Sequence, residues 1–185
     1  MMLKLSQQSQ LIPLYQCIEA MIEKPRGKLI VLLSGLPGEG ASTIAAGLGD
    51  LCGGVLGRSV LVMEARFDRR SQAIQQQAEP EAFHRQEIRA IGTKPARDAL
   101  HLDIAQFREG YDYVLLVTPP LSVDPMGLEW AQHADGVVLV IEAERTQWKT
   151  SRRMCDEIIG TGGNLLGVVL NKRRHHLPNW LARWF

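Results

Sequence analysis

Cysteine is scarce in this chain of 185 residues: Cys17, Cys52 and Cys155 stand far apart, with no CxxC pair and no histidine at ligand spacing. That argues against a disulfide framework or a thiolate metal site and leaves three small hydrophobes in a reducing compartment. Long apolar runs are also missing. None approaches the ~20 residues of a membrane-spanning helix, and the opening MMLKLSQQSQ lacks the apolar core of a secretory signal. A cytoplasmic protein is the expectation. Charge of one sign is lacking too, because the formal net charge is +1. No global field favours nucleic acid, so none is expected as a partner.

What is present is a set of five short apolar runs: Lys28–Ser34, Ser59–Glu64, Tyr113–Thr118, Gly136–Ile141 and Leu165–Leu170. Each is rich in Val, Leu and Ile without polar alternation, as strands buried on both faces of a parallel sheet are. Amphipathic stretches at Ser42–Cys52, Ala96–Glu109 and Thr146–Ile159 separate them and predict helical crossovers. The expected fold is therefore α/β, three layers around a doubly wound, mostly parallel sheet. Residues 1–27 form a lead-in with a helix over 8–23, residues 28–172 the α/β domain, and residues 173–185 a tail. Arg66–Gly92 has the weakest pattern and reads as a surface connection with some helix.

The loop after the first strand carries the chemistry. Gly35-Leu-Pro-Gly38-Glu39-Gly40-Ala41-Ser42-Thr43 links a predicted strand to a predicted helix, the setting of a phosphate-binding loop. Glycines let successive amide N–H groups curl inward, and the helix N-terminus adds partial positive charge. Every position but one fits the pattern GxxGxGK[ST]T. The exception is Ala41, which stands where a lysine would reach the β- and γ-phosphates. Two readings stand: a phosphate loop without its lysine, or a Gly-rich strand–helix turn that takes no ligand.

With this loop and its other segments, the chain resembles the bacterial tyrosine kinases of capsule and exopolysaccharide assembly, within the ParA/MinD class of P-loop ATPases. Ser59–Arg70 (SVLVMEARFDRR) resembles the second acidic motif of that family, and Tyr111–Pro120 (YDYVLLVTPP) its Walker B strand. Ala134–Thr146 and Leu166–Lys172 resemble the closing strands, with Asn171 at the adenine-contacting position. The resemblance implies a ParA/MinD-like P-loop fold and a nucleotide site at Gly35, Gly38, Glu39, Gly40, Ala41, Ser42, Thr43 and Asn171. Several charged groups of the family's site are replaced. Glu64 and Arg66 stand for the two aspartates of the acidic motif, and Val117 stands for the Walker B aspartate. The only tyrosines are Tyr15, Tyr111 and Tyr113, so the family's C-terminal tyrosine cluster has no counterpart.

These departures imply a vestigial site with no catalytic residue and no metal, where ATP or ADP would bind with weakened affinity. Arg66, Lys94 and Arg145 are the basic residues weighed as stand-ins for the missing lysine. The implied role is a non-catalytic pseudokinase, a scaffold or regulator that binds a membrane-embedded chain-length or export protein. A nucleotide sensor without hydrolysis and an ATPase with displaced catalytic residues are the alternatives. Leu11, Leu14, Ile18 and Met21 share one face of the first helix, which is either core or a homo-oligomer contact.

The tail begins with a basic cluster, Lys172, Arg173, Arg174, His175 and His176. Leu177, Trp180, Leu181 and Trp184 then fall on one helical face with Phe185 beside it, and Pro178 suits the first turn. Tryptophans beside positive charge describe an interfacial anchor on anionic lipid at the inner face of the cytoplasmic membrane. Docking on the protein's own sheet or on a partner remain the alternatives.

Overall fold

The computed structural model describes residues 9–65, 78–79, 84–88, 104 and 106–172. The five expected strands are all there: β1 (Lys28–Ser34), β2 (Val60–Ala65), β5 (Tyr113–Val117), β6 (Gly136–Glu142) and β7 (Leu165–Asn171). They run parallel in the order β2-β5-β1-β6-β7, with β1 at the centre between β5 and β6. Two strands extend the sheet beyond β2. Strand β4 (His84–Ile88) pairs parallel with β2, and the two-residue β3 (Ala78–Glu79) pairs antiparallel with β4. Within Arg66–Gly92, read from sequence as a surface connection with some helix, these residues are strand, and the rest of the stretch lies outside the described residues. The sequence of β4, His-Arg-Gln-Glu-Ile, is too polar for a strand buried on both faces, which is why the apolar pattern does not reveal it.

Period-two alternation along each strand sends side chains into two separate cores. On one face Leu29, Val31, Leu33, Met63 and Leu116 pack with Trp130, Met154 and Ile158. These last residues come from helices α3 (Met126–Ala131) and α4 (Trp148–Gly160). On the other face Ile30, Leu32, Val62, Leu115 and Val117 pack with Ile18, Leu48 and Leu51. Ile18 belongs to α1 (Ile12–Met21) and Leu48 to α2 (Ala41–Gly49), which passes into a wider π-turn at Asp50–Val55. The layers are helix, sheet and helix, as expected.

In α1, Leu11 and Ile18 are buried in this core, Leu14 packs against it, and Met21 is half exposed. Most of the stripe is thus internal packing. The predicted helix over Ala96–Glu109 lies largely outside the described residues, with helix at 104 and 106–110. Helix α3 is an addition, started by Asp124, whose Oδ1 accepts the Met126 N–H at 2.7 Å. Among the described residues, no helix is long and apolar enough to cross a membrane.

Candidate functional site

Parallel strands that all end on one edge of a sheet leave a crevice there, and ligands of open α/β sheets bind in that crevice. Here the C-terminal ends of β1, β2, β5 and β7 surround a cleft of about 690 Å³. Its floor and walls include Gly38, Gly40, Ala41, Ser42 and Thr43 of the loop, Glu64 of β2 and Val117 of β5. Asn171 and Lys172 close the far side, and Pro119 and Pro120 the near one. Sequence reasoning placed the loop and Asn171 together, and the structure brings them together.

The loop is shaped by two features. Gly40 has φ +99°, a left-handed conformation that glycine adopts without penalty. A Cβ there would also lie 2.1 Å from Asn171 Nδ2, so any larger residue would have to push this side chain off the Glu39 carbonyl. The second feature is Glu39, whose residue is fully buried. Its Oε2 accepts the N–H groups of Gly35 (2.7 Å) and Leu36 (2.9 Å). Its Oε1 accepts from the Glu142 N–H at 3.3 Å and from the Thr146 hydroxyl. The carboxylate is therefore a clamp inside the loop, tying it to the end of β6. Gly35 lies beneath this clamp, with Met154 of α4 packed against it.

Asn171 has a similar part. Its Nδ2 donates to the Glu39 carbonyl at 2.8 Å, which fastens β7 to the loop. The chain then turns out of the sheet at Lys172, whose φ of +55° is left-handed. Lys172 Nζ donates to the Gly38 carbonyl at 2.6 Å and pairs with Glu142 Oε2 at 3.3 Å. Arg145 Nη1 reaches the Pro37 carbonyl at 3.1 Å and the same Glu142 oxygen at 3.2 Å. The Arg145 guanidinium, then the Lys172 ammonium, hold the Glu142 carboxyl below its usual range. Sequence reasoning weighed Arg145 as a stand-in cation but counted Lys172 only as part of the basic tail. Arg66, Lys94, Arg173, Arg174, Leu177, Trp180, Leu181, Trp184 and Phe185 lie outside the described residues.

At Ala41 and Val117, where the resemblance places a lysine and an aspartate, the lining of the cleft is apolar. Ala41 and Val117 are both buried and belong to one hydrophobic cluster with Leu115 and Leu32. Val117 pairs with Glu64 across the β2–β5 ladder. Ser42 Oγ donates to Glu64 Oε1 at 2.7 Å. Magnesium prefers an octahedral shell of oxygens, and a valine facing this pair supplies none. No group of three or more His, Cys, Asp or Glu among the described residues could hold a metal ion.

These features define the class: an α/β protein of P-loop NTPase architecture with an open cleft at the C-terminal edge of its parallel strands. No family model matches the chain, and no curated protein matches it in sequence. Solved structures do. The kinase domain of VpsO is similar with a TM-score of 0.74 at 20% identity, over 92% of this chain and 96% of that one. The kinase domain of the Escherichia coli tyrosine kinase ETK follows with 0.69 at 18%, covering 86% of this chain and 73% of that one. A plasmid partition protein from Borrelia burgdorferi has the same architecture, with 0.56 at 14% and 88% of each chain covered. At these identities the likeness establishes the fold, shared by bacterial tyrosine kinase domains and ParA-like proteins.

Proposed function

We propose that this chain is a non-catalytic relative of the bacterial tyrosine kinases, a cytoplasmic scaffold or regulator of capsule or exopolysaccharide assembly or export. The observation that carries this reading is the hydrophobic cluster shared by Ala41 and Val117. Phosphoryl transfer is catalysed almost wholly by charges placed around the moving phosphate. Losing one such group commonly costs about 3 kcal/mol of transition-state stabilisation, and two of them are here replaced by hydrocarbon. The fold and loop persist, which leaves a binding partner as the reason for the scaffold. By the family resemblance, that partner is a membrane-embedded chain-length or export protein.

The test is direct. Purified protein given labelled ATP and Mg²⁺ is expected to release no phosphate above buffer and to take up no label. Turnover above background would overturn the non-catalytic reading. Deleting the chain from its bacterium is expected to change the amount or length of surface polymer, and an unchanged polymer would overturn the assignment to that process.

A second reading has its own support. Lys172 places an ammonium at the loop from the opposite wall, beside a cleft large enough for a ligand. Together with the N–H groups of the first turn of α2, which lack partners within the helix, it would hold a nucleotide's phosphates without turning them over. Calorimetric titration with ADP separates the two readings. Binding that weakens about tenfold or more in Lys172→Ala, the loss of one hydrogen bond to a charged group, supports the sensor. No heat up to millimolar nucleotide supports the pure scaffold.

A further inference from the structure

The cleft at the C-terminal edge of the sheet has two unlike sides. Toward β2 and β5 it is lined by Ala65, Val117, Pro119, Pro120 and Val123, all apolar. Val123 is 55% exposed, so a bulky apolar side chain stands at the mouth. Toward β7 it is lined by Asn171 and Lys172, with Gly38, Gly40, Ser42 and Thr43 of the loop between.

We propose that this cleft takes a small amphiphilic anion, an apolar body ending in one anionic group. The anion lies between Lys172 and the first turn of α2, and the body lies against Val117 and Val123. Three observations select this ligand.

The first is a spare donor. An ammonium has three donors, and Lys172 Nζ gives two of them to the Gly38 carbonyl and to Glu142 Oε2. The third is left for a ligand, and the side chain is 48% exposed. The N–H groups of the first turn of α2 have no acceptors within the helix, and its N-terminus adds partial positive charge.

The second is the placing of charge. Glu142 is the acid nearest this side, and both Arg145 and Lys172 pair with it, two cations against one acid, which leaves one net positive charge. Glu64 ends β2, four strands away from β7 in the order β2-β5-β1-β6-β7. At about 4.8 Å per strand that is about 19 Å, and Ser42 Oγ already donates to Glu64. One anionic group is matched here, whereas a chain of phosphates would bring more charge than the side chains compensate.

The third is size and lining. The volume of about 690 Å³ falls within the range of small-ligand pockets, which are mostly apolar with a few polar groups that fix orientation. A bare inorganic anion would leave the side with Val117 and Val123 in water, and a purely apolar molecule would leave the third Lys172 donor unused. A scaffold that binds its partner elsewhere could hold such a ligand equally well, so failure here leaves the scaffold reading standing.

Phenylbutyrate is the probe, with acetate lacking its apolar body and phenylbutanol lacking its charge. Each is titrated into the isotope-labelled full chain, and amide shifts are read by NMR at Gly38, Gly40, Thr43 and Val123. Phenylbutyrate is expected to shift these amides and to bind at least about tenfold more tightly than either control. One hydrogen bond to a charged group, or about two buried methylenes, is worth that much. Lys172→Ala should shrink the preference over phenylbutanol, and Val123→Asn the preference over acetate, each by about threefold or more. Both side chains are partly exposed, so both variants should keep the fold.

Phenylbutanol binding as tightly as phenylbutyrate would overturn the proposal, because Lys172 would then contribute nothing. Acetate binding as tightly, or ADP binding more tightly, would make the cleft a site for phosphate or any anion, and that too overturns it. So would the absence of shifts at these amides up to millimolar probe.

Discussion

The two ends of the central sheet treat charge in opposite ways. At the N-terminal ends of the strands, acids are tied into closed networks. Asp135 accepts the Leu29 N–H at 2.7 Å, Lys24 Nζ at 2.9 Å and Arg108 Nη2 at 2.8 Å. Asp112 accepts the Ser59 N–H and hydroxyl and pairs with Arg26. At the C-terminal ends, the positions that would face a transferred phosphate are hydrocarbon, while Glu39 and Glu142 hold the loop in shape. Carboxylates hold the fold at both ends, but one end carries an open cleft whose lining includes the apolar Ala41 and Val117.

The largest effect should come from breaking the clamp. Glu39→Ala leaves four donors without their acceptor, the Gly35 N–H buried and the other three partly buried, and about 3–5 kcal/mol of unfolding free energy is expected to go with them, as when a buried charged network loses one partner. Chemical denaturation followed by circular dichroism reads this. A loss below about 1 kcal/mol would mean that the loop holds itself.

Val117→Asp sharpens the contrast from the other side. The carboxylate would enter a buried apolar cluster beside Glu64, and a destabilisation of about 3 kcal/mol is expected. A stable Val117→Asp protein, measured the same way, would show that the cleft tolerates a charge at this position. Asp135→Ala, at the opposite end, leaves the Leu29 N–H, Lys24 Nζ and Arg108 Nη2 without this acceptor, while Arg108 Nε keeps the Gly27 carbonyl, and should cost about 2 kcal/mol.

How much of this is readable from sequence depends on where the information lies. The five parallel strands stand out because burial on both faces leaves continuous runs such as Val31-Leu-Leu33. The loop is readable because glycines at fixed spacing follow a strand and open a helix. Strand β4 is not, because a polar segment pairs at the margin of the sheet through its backbone. Helix α3 carries a signal in Asp124-Pro125, a capping residue before a proline, yet only six residues follow it. The roles of Glu39 and Lys172 are tertiary. Nothing local says that one carboxylate turns inward onto four donors, or that a lysine after β7 reaches across to Gly38.

The smallest expected effect concerns the tie between α1 and the sheet. Glu19 accepts hydrogen bonds from the buried Lys28 ammonium and from Tyr113 Oη at 2.5 Å. Burial opposes its ionisation, but Lys28 and Tyr113 outweigh burial, so its pKa is lowered from 4.5. A carboxylate depressed on folding adds stability that is complete above its unfolded value and lost as the pH falls through its folded one. Wild type should therefore lead Glu19→Gln in denaturant midpoint at pH 7, and the lead should shrink below pH 4.5 as Glu19 takes up its proton. Asp112 is depressed in the same way despite burial, by Ser59 and Arg26, but it is present in both proteins and cancels in the difference. A lead that stays constant into acid would mean that Glu19 acts through packing alone. The contrast between a charged base and a neutralised cleft would then rest on Asp135 and Asp112.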